Sequence, residues 1–127
     1  MSGNILRAFI AGILLTGFAP VPATGGDLDL TGTYSSLKST ESGDIVGEEI
    51  RVLQFDYPQG YWIIYQCAEG EPSEPVFIQA KVKGSKMLEF TVPEDRLCVG
   101  TYTATFTLKA ATLKQSLFKF PLRKITQ

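Results

Sequence analysis

The 127-residue sequence contains no histidine. This absence excludes a Ser-His-Asp or Cys-His nucleophile, and any zinc or haem site that needs an imidazole ligand. The chain is also poor in cysteine. Its two cysteines, Cys67 and Cys98, lack the Cys-X-X-Cys spacing that lowers a thiol pKa. We therefore expect no catalytic residue, no metal site and no cofactor, and the sequence predicts a protein that is not an enzyme.

The first 23 residues differ in composition from the rest of the chain. Arg7 provides a positive charge, residues 8–19 are apolar and uncharged, and small residues precede a cut after Ala23. This pattern is typical of a secretory signal peptide. A membrane anchor is the alternative, but the apolar run is shorter than the roughly 20 residues that span a bilayer. We expect a signal peptide over residues 1–23 and one domain over residues 24–127. The mature protein would be secreted or periplasmic in a bacterium, with no stable membrane span.

Both cysteines lie in the part of the chain that would be exported. Because the exported compartment is oxidising, an even number of cysteines there favours a disulfide. We therefore predict a Cys67–Cys98 bridge, with two buried free thiols as the alternative.

Apolar and polar residues alternate along most of the remaining chain, which is the pattern of half-buried strands. The clearest example is residues 99–108, where Tyr102, Ala104 and Phe106 alternate with threonines. Strands are predicted over residues 31–37, 46–56, 61–67, 76–83, 87–92 and 99–108, with one or two more within 113–125. Pro121 predicts an edge, a bulge or a break in the last segment, because proline cannot donate to a sheet ladder.

Short connections between these segments favour an all-β, up-and-down antiparallel barrel of about seven or eight strands. A two-sheet β-sandwich is the alternative. In a flat meander the two cysteines would lie roughly 14 Å apart. A disulfide needs Cα atoms within about 7 Å. The bridge therefore requires a strongly curled sheet or an inward-folded loop, and the bridge and the barrel support each other.

One short segment carries a resemblance. Residues 30–34, Leu-Thr-Gly-Thr-Tyr, resemble the opening strand of lipocalin-like and avidin-like (calycin-type) barrels, with Tyr34 in the place of the Trp of their Gly-X-Trp pattern. The mature chain is also similar to small secreted bacterial proteins of unknown function. The resemblance implies a shared barrel, and it transfers no catalytic or ligand residue to this chain.

Four aromatic residues, Tyr34, Trp62, Tyr65 and Tyr102, are candidates for the wall of an internal pocket that binds a small apolar ligand. The alternative is that these rings are ordinary core. Residues 61–67 are apolar on both faces, so their outer face could instead meet a protein partner or a second copy. The leading hypothesis is an exported binding barrel whose partner is a small apolar molecule or a protein.

Charge is distributed unevenly along the chain. Residues 24–75 contain 10 acids and 2 bases, whereas residues 76–127 contain 3 acids and 9 bases. The two halves could steer charged partners, or they could cancel across neighbouring strands. The net charge gives no reason to expect nucleic acid. Within the acidic loop 68–75, Glu69, Glu71 and Glu74 suggest the alternative of a periplasmic inhibitor that inserts this loop into an enzyme.

Overall fold

The computed structural model describes residues 28–57 and 59–126, so the predicted signal peptide lies outside the described residues. These residues form ten strands: β1 Gly32–Ser35, β2 Lys38–Ser39, β3 Ile45–Asp56, β4 Gln59–Gly70, β5 Val76–Gln79, β6 Lys81–Gly84, β7 Met87–Val92, β8 Gly100–Phe106, β9 Ala110–Gln115 and β10 Phe118–Lys124. In the described part of the chain, no helix has the length and apolarity that a membrane crossing requires.

Nine of these strands form a nearly closed antiparallel barrel. Around the sheet their order is β5-β4-β3-β1-β10-β9-β8-β7-β6, and β2 pairs beside this path with β3. Apart from β2, and from β5 and β6 at the two ends of this order, strands that follow one another in the chain are therefore paired, and the last strand, β10, returns to pair with β1. The all-β antiparallel barrel predicted from the alternation is confirmed, in preference to a two-sheet sandwich. It has nine strands and not the predicted seven or eight, because residues 76–83 are divided between β5 and β6.

The barrel closes where β5 gives way to β6. Residues 76–83 were predicted to form one strand, and this prediction is wrong because the stretch changes partner at Ala80. β5 pairs with β4, and the Ala80 N–H donates to the Tyr61 carbonyl at 3.0 Å, whereas β6 pairs with β7. One continuous stretch therefore spans the gap between β4 and β7.

Alternating side chains of the strands fill the interior. The inward row of β8, Tyr102, Ala104 and Phe106, is at most 1% exposed, while Thr101 and Thr105 lie outside as predicted. Aromatic rings pack between neighbouring strands, with the Phe90 and Tyr102 centroids 5.4 Å apart in a stacked pair, and across the barrel, with the Tyr65 and Tyr102 centroids 5.3 Å apart. Other core residues are Tyr34, Ile50, Val52, Ile63, Tyr65, Leu88, Ala111, Leu113 and Leu122.

The predicted Cys67–Cys98 disulfide is present, with the two Cα atoms 6.6 Å apart. Cys67 lies in β4, and Cys98 lies in the loop before β8. That loop folds against the barrel, since Tyr102 Oη donates to the Cys98 carbonyl at 2.7 Å and Gln115 Nε2 donates to the Val99 carbonyl at 2.9 Å. We call this the disulfide end. The β3–β4, β6–β7 and β8–β9 turns lie at the opposite end.

Pro121 lies at an open edge of β10. The Lys124 N–H donates to the Lys109 carbonyl on the β9 side, and the Ile125 N–H donates to the Thr33 carbonyl on the β1 side. This alternation places the nitrogen of Pro121 on the β1 side, where pairing between the two strands has already ended. The missing donor therefore removes no ladder bond, and the predicted edge is confirmed. The β9–β10 register is continuous through Pro121, so there is no bulge there.

Candidate functional site: a basic cleft beside the first and last strands

The candidate site is a cleft that opens where β1 leaves β10. The two strands pair only at Tyr34↔Lys124 and Ser35↔Arg123, after which the chain turns away and β2 joins β3. The space left beside β10 is an open cleft of about 890 Å³. Its lining residues are Ser35, Ser36, Leu37, Lys38, Leu108, Lys109, Ala110, Pro121, Leu122, Arg123, Lys124 and Thr126.

The wall that contains Ser36 and Leu37 is fixed by a close approach to β3. The Ser36 N–H donates to the Glu48 carbonyl at 2.8 Å, and the Glu48 N–H donates to Ser36 Oγ at 3.0 Å. Gly47 makes this approach possible, because a Cβ there would lie 2.5 Å from the Ser36 carbonyl oxygen. Its φ of +122° is a second reason for glycine at this position.

Four cationic side chains line the cleft: Lys38, Lys109, Arg123 and Lys124. None of its described lining residues is acidic, and none of these four cations belongs to an ion pair found among the described residues. The cations are therefore available to a bound anion, and their like charges raise the positive potential of the cleft.

Lys124 is held at the inner side of the cleft. Its Nζ lies 5.7 Å from the centroid of the Tyr34 ring. Gly32 makes room for its stem, since a Cβ there would lie 2.9 Å from Lys124 Cε. The nearby Asp29 accepts hydrogen bonds from the side chain and backbone of Thr31. Those bonds are the main cause that lowers the pKa of Asp29, and the charge of Lys124 is a smaller one.

Apolar side chains complete the cleft. Leu122 is buried, Leu37 is half-buried, and Leu108 is 68% exposed. Pro121 is exposed and has no backbone N–H, so β10 offers no hydrogen-bond donor to the cleft at this residue. A site lined by both cations and apolar residues fits a molecule that has both an anionic group and an apolar part. Its volume lies within the range of about 300–1,000 Å³ that is typical of small-molecule sites.

Of the four aromatic residues predicted to line an internal pocket, the structure brings together Tyr65 and Tyr102, whose ring centroids lie 5.3 Å apart. Tyr34, Tyr65 and Tyr102 are buried inside the barrel, each at most 1% exposed. Trp62 lies on the outer face of β4, stacked on Phe77 with ring centroids 4.8 Å apart. None of the four lines the cleft. A small apolar ligand inside the barrel stays a prediction.

The barrel interior also contains a carboxylate that the sequence analysis missed. Glu48 is 7% exposed, and Tyr65 Oη donates to its Oε2 at 2.6 Å. Its Oε1 has no hydrogen-bond partner among the described residues. Burial raises the pKa of Glu48, opposed by the Tyr65 hydrogen bond and assisted by the negative charge of Glu69. The signal was present in the alternation, because Glu48 shares the inward parity of Ile50 and Val52.

The acidic loop at the disulfide end is firmly held. β4 was predicted to end at residue 67, but it continues to Gly70 and includes Glu69. Beyond it, the Ser73 N–H donates to the Cys67 carbonyl at 2.7 Å, and Gln66 Nε2 donates to the Ser73 carbonyl at 2.7 Å. Glu71 and Glu74 lie on this loop, exposed like Glu69.

Ion pairing across strands neutralises little of the uneven charge. Three pairs form within residues 28–57 and 59–126, and they use only two cations: Lys83 with Glu89 at 3.8 Å, and Arg96 with Glu74 at 3.6 Å and Asp95 at 4.0 Å. Most of the exposed charges are therefore directed at solvent or at a partner.

No protein-family model, curated protein or solved structure matches the chain. Among the described residues, no group of three or more His, Cys, Asp or Glu side chains is placed to hold a metal ion. The candidate function must therefore be argued from the cleft and the surface.

Proposed function

We propose that the protein is an exported, non-enzymatic β-barrel that binds a small amphiphilic anion in the cleft beside β1 and β10. One observation carries the proposal: four cations, several apolar residues and no described acid line a cleft of about 890 Å³. The signal-peptide pattern supports export, and the disulfide is compatible with it. The proposal keeps a small, partly apolar ligand but moves it from the barrel interior to the outside.

The lining residues suggest how such a ligand would lie. Arg123 can bind a carboxylate, sulfate or phosphate through two parallel hydrogen bonds, and Lys38 and Lys109 can add point charges. The apolar part of the ligand would cover Leu37 and Leu108, removing their exposed surface from water. Neither part alone would use the whole site, so a molecule with both parts should bind best.

Titration by isothermal calorimetry and two-dimensional NMR tests this function. Decanoate and decyl sulfate should bind and shift the amide signals of residues 35–38 and 121–124. Decanol lacks the charge and acetate lacks the chain, so both should bind at least tenfold more weakly. Shifts of amide signals centred on Tyr65 and Tyr102 would instead support a ligand inside the barrel and would refute binding in the cleft.

Two matched variants isolate the charge of the cleft. Arg123→Gln removes a cation that lines it, whereas Lys119→Gln removes an exposed cation from the same strand outside it. A hydrogen bond to a charged group contributes about 1.5–3 kcal/mol, so Arg123→Gln should weaken decanoate binding by about tenfold or more. Lys119→Gln should change it less than twofold. Equal effects of the two variants would refute a specific site.

A second candidate is an inhibitor that presents the acidic loop to a cationic enzyme. The observation in its favour is that the loop is held by Ser73, Gln66 and the adjacent disulfide, because a pre-organised loop loses little entropy on binding. Inhibition of a panel of cationic secreted hydrolases would test it. Glu71→Gln should weaken any inhibition, whereas Arg123→Gln should leave it unchanged.

A further inference from the structure

A second surface lies on the other side of the barrel, on the outer face of β3, β4 and β5. Phe55, Trp62 and Phe77 form one aromatic cluster there. Their ring centroids are 4.8 Å apart for Trp62–Phe77, 6.2 Å for Phe55–Trp62 and 6.5 Å for Phe55–Phe77. Phe77 is 54% exposed, so much of the cluster faces solvent. The barrel already has a complete core, and these rings are not part of it.

The aromatic cluster is followed by an exposed aromatic residue towards the end of the barrel opposite the disulfide. Tyr57, at the β3–β4 turn, is 95% exposed. A side chain exposed to that extent protrudes from the surface. A protruding aromatic residue at a turn can insert among lipid chains, whereas a rigid protein partner would need a matching pocket to receive it.

Lysines border the same surface. Lys81 faces outward with its partner Glu89, which lies between the inward Leu88 and Phe90, and Lys83 approaches the same Glu89. Lys86 follows in the next turn, and all three are exposed. Among the neighbouring acids, Glu89 is 3.8 Å from Lys83, and Asp56 follows Phe55 at the end of β3. Lys81 and Lys86 form none of the ion pairs found in the described part of the chain.

We propose that this aromatic and basic surface docks on an anionic lipid surface. Trp, Tyr and Phe side chains are favoured at the boundary between lipid headgroups and acyl chains, and lysines beside them are attracted to anionic headgroups.

Charge favours a lipid surface over a second copy of the chain. In a twofold dimer the same patch meets itself, so Lys81 and Lys86 would approach the lysines of the partner. Such like charges oppose association, whereas an anionic bilayer complements them. The proposal is independent of the cleft, because none of the residues named for this surface lines it.

Trp62 is the only tryptophan in the chain, so its fluorescence reports directly on the proposed surface. The mature protein is titrated with vesicles of phosphatidylcholine alone and with vesicles that also contain about a third phosphatidylglycerol. With the anionic vesicles the emission should shift to shorter wavelength, brominated acyl chains should quench it, and the protein should float with the vesicles. Added salt should weaken this binding, because it screens the lysines.

Two double variants provide the matched comparison. Lys81→Gln with Lys86→Gln removes two cations from the surface, whereas Lys114→Gln with Lys119→Gln removes two exposed cations from paired positions on β9 and β10. At about fivefold per lysine, the first should weaken binding to anionic vesicles by about 25-fold. The second should weaken it by less than about threefold. Tyr57→Ser should reduce the blue shift and the quenching while leaving the fold intact.

Three results would overturn the proposal. The first is equal binding to neutral and anionic vesicles, and the second is equal loss of binding in the two double variants. The third is a concentration-dependent dimer, seen by light scattering without lipid and abolished by Tyr57→Ser, because it would assign the surface to a second copy. None of these results bears on decanoate binding to the cleft, so the two proposals can fail separately.

Discussion

Removing the disulfide should lower the stability of the barrel by a calculable amount. The bridge joins Cys67 in β4 to Cys98 before β8, with a sequence separation of 31 residues. In the chain-entropy relation, a closed loop of this length restricts the unfolded chain by about 3.7 kcal/mol at 25 °C. Replacing both cysteines by alanine should therefore lower the free energy of unfolding by roughly that amount.

Packing adds a smaller contribution, and the native loop should persist. Cys67 is 1% exposed, so losing its sulfur leaves a small void that costs about 1 kcal/mol. The hydrogen bonds to the Cys98 and Val99 carbonyls come from Tyr102 and Gln115, and they do not depend on the sulfur atoms. The variant should fold with the same barrel and melt about 15–30 °C lower.

Urea denaturation at 25 °C, followed by the fluorescence of Trp62, measures the change. The midpoint should fall by about 2–4 M. Cys67→Ala and Cys98→Ala alone each break the bridge, so each should lose nearly as much as the double variant. A total loss below about 1 kcal/mol would refute the reasoning. So would single losses that add up to the double loss, or two titratable thiols in the unfolded, unreduced protein.

Two further predictions concern the interior and the wall of the cleft. Because burial raises the pKa of Glu48, the folded protein binds that proton more tightly than the unfolded chain does. The contribution of Glu48 to stability should therefore be greatest below the ordinary glutamate value of 4.5 and fall as pH rises through the raised folded value. Glu48→Gln should remove this contribution to the change in urea midpoints measured from pH 4 to 8. Gly47→Ala should cost about 2 kcal/mol or more by thermal denaturation, because of its φ and the nearby Ser36 carbonyl. Gly43→Ala is the control: its φ is +93°, but a Cβ added there would meet nothing within 4 Å. It should therefore lose only the stability that the unfavourable φ costs, with no loss from a steric clash.

The parts of the fold that sequence reasoning predicted depend on local alternation. Tyr102 and Phe106 face inward and the intervening threonines face outward because side chains in a strand alternate with a period of two. The barrel followed from the same pattern together with the requirement that Cys67 and Cys98 meet. These inferences needed only the order of residues and the reach of a disulfide.

The errors arise where local alternation cannot decide. Residues 76–83 keep one parity through Ala80, so nothing in the sequence marks the change of partner from β4 to β7. Trp62 and Tyr65 belong to a strand that is apolar on both faces, and only the assembled barrel places one outside and the other inside. Glu48 has the parity of a core residue but a charged side chain, and its partner Tyr65 is 17 residues away.

The cleft was beyond sequence reasoning for a related reason. It exists because β1 separates from β10 after two paired positions. Just beyond β1, Ser36 instead approaches β3, and the lack of a side chain at Gly47 makes room for this approach. The sequence does contain part of its chemistry, since Arg123 and Lys124 belong to the basic tail. What alternation could not show was that the tail would lie beside Lys38, from the other end of the domain.

Stability and charge are located in different parts of this molecule. The interior is built from packed aromatic and aliphatic side chains and one disulfide, whereas the ion pairs of the described residues lie at the surface. Exposed pairs of that kind contribute little, typically about 0–1 kcal/mol. The uneven charge therefore does little for the fold itself. Since the cations of the cleft and most of those beside the aromatic cluster form no ion pair in the described residues, their charge is better explained by binding to anions outside the protein.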